Sequence, residues 1–324
     1  MSSAGRRAQR PGFGLLAIVW LAAALTSCSA LSSDGGRAAQ DGTLRVATSF
    51  YPLQWMAERV GGDLVTVTNL TKPGAEPHDL ELTPRDVASL SDADVVAYLS
   101  GFQPAVDDAL RNTDATRFDA APAADLDLRF TPAVGDAAPD GRLGADADAT
   151  GRTDPHFWLD PVRLAAVGEA FADTLAEQDP KHADRFRANA AALTADLKGL
   201  DHDMTVGLER CRSRDLVTSH RAFGYLAARY HLRQVGISGI DAEAEPSARS
   251  LAQVSDFVRA NHVRTIYFET LVSPVVAKTV AREAGATTDV LDPLEGLGTH
   301  SQGGDYVEVM RANLANLRRG QGCR

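Results

Sequence analysis

The sequence has little cysteine: three residues in 324, at positions 28, 211 and 323. None of them pairs with a near neighbour in the close spacing of a zinc knuckle, so a small structural zinc module is excluded. An excess of basic residues is also missing. Asp and Glu outnumber Lys and Arg by 43 to 33, a formal net charge of −10 at pH 7. That balance argues against nucleic acid as a partner. Nor is there a run long enough to cross a bilayer as a helix. The charge-free apolar stretch from Phe13 to Leu25 falls short of the ~20 residues a span requires.

What that stretch does suit is export. Arg6, Arg7 and Arg10 precede it, and Leu25-Thr26-Ser27-Cys28 follows, so residues 1–28 read as a signal peptide. The Leu-x-Ser-Cys ending resembles a bacterial lipobox, in which Cys28 becomes the lipidated first residue of the mature chain. Ordinary secretion with a chance cysteine is the alternative. Residues 29–42 are rich in Ser, Gly, Ala and Asp and read as a flexible tether. The expected location is periplasmic or cell-surface, anchored through Cys28. Outside the cytoplasm the remaining pair, Cys211 and Cys323, suggests a disulfide, with two free thiols as the alternative.

The mature part is long enough for two lobes with their own cores. In residues 43–160, strand-like runs (44–48, 64–70, 94–99) alternate with helical ones (52–60, 84–90), which points to βα units and a parallel sheet. Residues 119–153 are rich in Ala, Asp, Gly and Pro and read as a mobile acidic loop carrying Asp136, Asp140, Asp146 and Asp148. Residues 161–210 turn helical. Phe186, Ala190, Leu193, Leu197, Leu200, Met204 and Leu208 recur at intervals of three and four, which makes one face of a long helix. Residues 211–324 return to βα alternation, with Ser247 as a helix N-cap and Gly285 as a helix stop. The expected fold class is α/β: two Rossmann-like lobes with parallel sheets, joined by one long backbone helix.

Four local motifs carry metal-ligating side chains: His78 after Gly-Ala-Glu-Pro, His156 within Asp-Pro-His-Phe-Trp-Leu-Asp-Pro, His220 after Val-Thr-Ser, and Asp292 in Leu-Asp-Pro-Leu. The gaps between them are long, so only a folded domain could bring them together. His220, Asp292 and Glu269 all follow strands, and ligands of open α/β sheets collect at the carboxyl ends of strands. Three imidazoles and one carboxylate suit Zn2+, and four protein ligands leave no open position for catalysis. His182, His202, His231 and His262 read as surface or packing residues; for His300, in a Gly-rich loop, an ordinary loop residue and a spare or transfer ligand both stay open.

With these motifs on the page, the chain resembles the zinc/manganese solute-binding proteins of bacterial ABC importers, the cluster A-I family with its ZnuA-like zinc-binding lipoproteins. The strings that carry the likeness run from Val46-Ala47-Thr48-Ser49-Phe50-Tyr51-Pro52 through Glu243-Ala244-Glu245-Pro246-Ser247 and the four motifs above. The resemblance implies Zn2+ held between the lobes as transported cargo, His78 and His156 coming from the first and His220 and Asp292 from the second. It implies a membrane ABC permease as partner, with a zinc metallochaperone as a further possible partner, a monomer, and modest closure on binding. One departure is the Asp-rich loop, which has no histidine where zinc-specific members often have several. Manganese binding is the alternative within the family. A zinc-dependent hydrolase using Glu269 as base, or a lipid-anchored adhesin or sensor with a structural metal, are rivals outside it.

Overall fold

The computed structural model describes residues 42–130, 151–240 and 242–324. The signal, the tether up to residue 41, Cys28 and the four loop aspartates lie outside these. Among the described residues no helix is long and apolar enough to cross a membrane.

The first sheet is built from β1 (Leu44–Thr48), β2 (Val65–Asn69), β3 (Val95–Tyr98) and β4 (Thr116–Asp119), all parallel, in the order β2-β1-β3-β4. Central β1 and β3 read as apolar runs because helices cover both faces, whereas edge strand β2 alternates, Val-Thr-Val-Thr-Asn. The connecting helices are α1 (Tyr51–Gly61), α2 (Pro84–Asp92), α3 (Pro104–Leu110) and the single turn α4 (Ala121–Ala124). The start of α2 is a capping box: Thr83 and Asp86 satisfy one another's backbone N–H, with Pro84 at the first helical position.

The second sheet repeats the plan. Strands β5 (Asp215–Thr218), β6 (Arg233–Gly236), β7 (Thr265–Phe268) and β8 (Thr287–Val290) run parallel in the order β6-β5-β7-β8. Between the sheets in sequence lie α5 (Pro161–Gln178) and α6 (Ala183–Leu208). The second lobe adds α7 (Gly224–Arg229), α8 (Ala248–Ala260), α9 (Val275–Ala284) and α10 (Tyr306–Gln321). Helix α8 is capped by the Ser247 hydroxyl and α9 is closed by Gly285 in the left-handed conformation. The result is the α/β pair of Rossmann-like lobes joined by a long helix.

Helix α6 holds the lobes together. Its 26 residues make a rod of about 39 Å. All seven of the periodic apolar positions, Phe186 through Leu208, are buried. That face packs on α1 and α5 of the first lobe and on α10 of the second. One hydrophobic cluster therefore runs without a break from Leu44 in β1 to Leu317 in α10.

The acidic-loop expectation needs correction at its ends. Residue 119 closes a strand and 121–124 are helical. Backbone bonds from Phe130 N to Arg152 O (2.8 Å), Gly151 N to Phe130 O (3.0 Å) and Asp154 N to Leu128 O (3.0 Å) then tie 128–130 to 151–154 as a short antiparallel ribbon. Backbone pairing, which composition does not report, makes these flanks regular.

Candidate metal centre

In the sheet order β6-β5-β7-β8 the connections diverge to either side of the β5/β7 pair, which opens a crevice at the carboxyl ends of those strands. His220 lies two residues past β5 and Glu269 one past β7. They meet across that crevice, Glu269 Oε1 2.6 Å from His220 Nδ1 and 3.1 Å from the His220 backbone N–H that donates to it. The first sheet has the matching crevice between β1 and β3. There the Gln103 amide N–H donates to Ser49 O (3.3 Å), Thr71 Oγ1 (3.1 Å) and Pro77 O (3.1 Å), anchoring the turn that presents His78.

Two further residues are aimed by carboxylates two positions earlier. Glu76 Oε2 accepts the His78 backbone N–H at 3.0 Å. Asp154 Oδ1 accepts the His156 backbone N–H at 3.0 Å and stands 2.8 Å from His156 Nδ1. With its Nδ1 occupied in this way, His156 presents Nε2 inward, as does His220, the arrangement expected of imidazoles that ligate a metal. Phe102 meets the His78 ring edge-on at 4.7 Å, and Trp158 lies 5.2 Å from the His156 ring, so the polar cluster has aromatic walls.

The fourth member of the cluster is Glu295. One ligand atom each from His78, His156, His220 and Glu295 fall within 4.8 Å of one another. Glu295 Oε1 sits at the centre, 3.4 Å from His78 Nε2, 3.1 Å from His156 Nε2 and 3.3 Å from His220 Nε2. Both Glu295 oxygens and His220 Nε2 are buried without a hydrogen-bond partner. Buried polar atoms are seldom left so, and three of them converging on one point fit a cation in their midst.

Asp292, expected as the fourth ligand, is elsewhere employed. Its Oδ1 accepts the Leu294 N–H at 2.8 Å and its Oδ2 accepts the Thr270 hydroxyl at 3.0 Å. Asn313 brackets its backbone, accepting Asp292 N–H (2.9 Å) and donating to Asp292 O (2.7 Å). The carboxylate thus caps a turn in which Leu294 takes φ +58, and that turn swings Glu295 inward. Glu295 is the residue that strand-end logic passed over. The signal available was a second acid three places beyond Asp292. His300 is not in the cluster; it lines a separate cavity of about 450 Å³ with Glu269 and Thr270.

The electrostatics follow from burial opposed by pairing. Burial pulls the His220 imidazole down, but Glu269 and Glu295 outweigh it and hold it well above its usual range. His156 is raised in the same way by Asp154 and Glu295 against burial. Burial wins at His78, which is lowered. Burial alone would raise Glu295, yet His220 and His156 keep it well below the usual carboxylate range. Glu76, desolvated and beside Glu295, is pushed up to about 8. Protons here occupy positions that a divalent cation would contest, so metal entry would release them.

A model of the family described as "Zinc-uptake complex component A periplasmic" matches residues 46–320. The chain is 36% identical over 284 residues to the zinc-binding lipoprotein AdcA of Streptococcus pneumoniae, covering 86% of this chain and 56% of that protein. It is 32% identical over 311 residues to the high-affinity zinc uptake system protein ZnuA of Bacillus subtilis, covering 94% and 96%. The solved Zn(II)-bound ZnuA-like domain of Streptococcus pneumoniae AdcA superposes with a TM-score of 0.70 at 34% identity, covering 86% of this chain and 99% of that one. The chain thus spans about half the length, 56%, of the AdcA relatives it matches.

Proposed function

Because the chain belongs to the zinc-uptake component A family, a family of periplasmic transport components, we propose that it captures Zn2+ outside the cytoplasm and delivers it to a membrane permease of the ABC type. The observation that carries this reading is the convergence of three imidazoles and the Glu295 carboxylate from both lobes on one buried point. His78, His156, His220 and Glu295 are the proposed ligands. Four protein ligands close the shell, which suits holding a metal rather than activating water on it. Glu269, the base that strand position offered to a hydrolase, is engaged by His220.

Zinc is favoured over manganese by the donor set, since imidazole is the softer ligand and all-oxygen shells suit the harder ion. Relatives bearing the words zinc-binding and zinc uptake support the same choice. The Cys28 lipobox and the lipoprotein name of the pneumococcal relative support a lipid anchor on Cys28.

Titrating metal-stripped full chain with zinc tests the reading. One tight equivalent is expected, strongly weakened by His220→Ala and retained in the presence of excess manganese. A chain that keeps manganese in preference to zinc, or takes up no tight zinc, overturns it.

A further inference from the structure

The four proposed ligands are unequally sheltered. The His78 side chain is 11% exposed, whereas those of His156, His220 and Glu295 are at 0–1%. His78 alone of the four borders a cavity of about 290 Å³, which is walled by Phe102, Arg129, Arg152 and Thr153 from the first lobe and Ile240 from the second. This cavity is therefore an approach by which a small solute reaches the centre.

Its charge is the opposite of what a bare cation would favour. The chain carries ten more negative than positive charges, yet among the described residues no carboxylate lines this cavity, and two arginines do. The ribbon at 128–130 and 151–154 presents both of them, and the Arg129 guanidinium is held by the Thr153 hydroxyl. Among the described residues neither arginine has an acidic partner within ion-pair distance, although most other arginines of the first lobe do. Two positive charges at the mouth, without an acidic partner among the described residues, repel Zn2+ and attract anions, an effect that acts on encounter rates and fades with salt.

We propose that this cavity is a vestibule for an anionic carboxylate chelate of zinc, which seats its carboxylates on Arg129 and Arg152 while the metal passes to His78. The proposal rests on the zinc-capture reading above and concerns the form in which zinc arrives. Transfer is a ligand exchange: His78 Nε2 displaces one carboxylate oxygen from zinc, the other ligands follow, and the freed chelator leaves with its electrons and charge unchanged. No oxidant or reductant is involved.

The test is stopped-flow loading of metal-stripped full chain, reported by the fluorescence of Trp158 beside His156. Zinc is supplied either as free ion in a weakly coordinating buffer or as its complex with citrate. The wild type is compared with Arg129→Gln/Arg152→Gln and with the charge-keeping Arg129→Lys/Arg152→Lys. In low salt the glutamine variant should take zinc from citrate about threefold or more slowly, while free zinc enters no more slowly than before, an effect of the size two surface charges produce. The lysine variant should behave as wild type, and high salt should erase the difference. Equal loss of rate for both zinc sources, or no loss for either, overturns the vestibule while leaving zinc capture standing. A wild type that takes zinc from neither source overturns zinc capture itself.

Discussion

At the scale of single residues, one device recurs. A carboxylate accepts the backbone N–H two positions on at Glu76–His78, Asp154–His156 and Asp292–Leu294. Acidic side chains favour such local turns. Twice the device aims a proposed ligand directly. At Asp292 it works at one remove, turning the chain so that Glu295 enters the centre. This is why His78, His156 and His220 of the cluster were legible in the sequence and Glu295 was not: strand ends can be read from pattern, but whether the first acid past a strand faces the cluster or caps its own turn depends on backbone geometry. The two acids should therefore fail differently. Glu295→Gln should leave the fold intact and weaken zinc by more than the roughly 10–100-fold typical of losing a group behind a ligand. Asp292→Ala leaves the buried Leu294 N–H unpaired, at about 1–3 kcal/mol of stability, and should keep one zinc equivalent. Calorimetric titration with apo-protein melting separates the two. If Asp292→Ala abolishes binding while Glu295→Gln spares it, the ligand assignment is reversed.

At the scale of elements, the long helix was the most legible part and the short ones the least. Seven apolar positions at regular intervals declare α6, and all are buried. By contrast α3 has only seven residues, too few for a helical period to register, and β4 reads Thr-Arg-Phe-Asp, with one apolar residue where the equally short β3 has Val-Val-Ala-Tyr. What pattern could not give is how α6 grips the second lobe. Asp201 on its outer face accepts from Arg229 Nε (2.6 Å) and Nη2 (3.0 Å) and from the Tyr230 hydroxyl (3.1 Å), at the end of α7. The bond from Arg229 lowers the Asp201 carboxyl below its ordinary value of 3.8, against a smaller opposing effect of burial. A carboxyl that is lowered on folding contributes stability that is complete above its unfolded value and lost as pH falls through its folded one. The wild type should therefore melt above Asp201→Asn at neutral pH, and the gap should close as pH drops below 3.8. Melting curves of both proteins across acidic pH decide it; a gap independent of pH would show that the pair contributes nothing through its charge.

At the scale of the whole molecule, the metal centre and the covalent tie occupy opposite ends of the second sheet. The ligands gather past the carboxyl ends of the strands, where Trp158 of the first lobe donates to Pro293 O (2.8 Å) and Tyr306 donates to Trp158 O (2.5 Å). The Cys211–Cys323 disulfide lies beyond the amino ends, where α10 finishes and β5 begins. Around it Arg212 N and Ser213 N donate to Gln321 O, and Arg324 N donates to Arg210 O. The bond spans 112 residues, and closing a loop of that size removes about 4–5 kcal/mol of freedom from the unfolded chain in the chain-entropy account. Replacing both cysteines by serine should then lower the melting temperature by roughly 10 °C. Zinc stoichiometry should not change, because α10 supports the Asp292 turn through Asn313, midway along the helix, and its contacts with α6 do not depend on the sulfur bridge. Melting with and without zinc reads both effects at once. A double-serine protein that melts lower and also loses its tight zinc equivalent would show that the two ends of the lobe are coupled, and that the disulfide positions Glu295 rather than only holding the terminus.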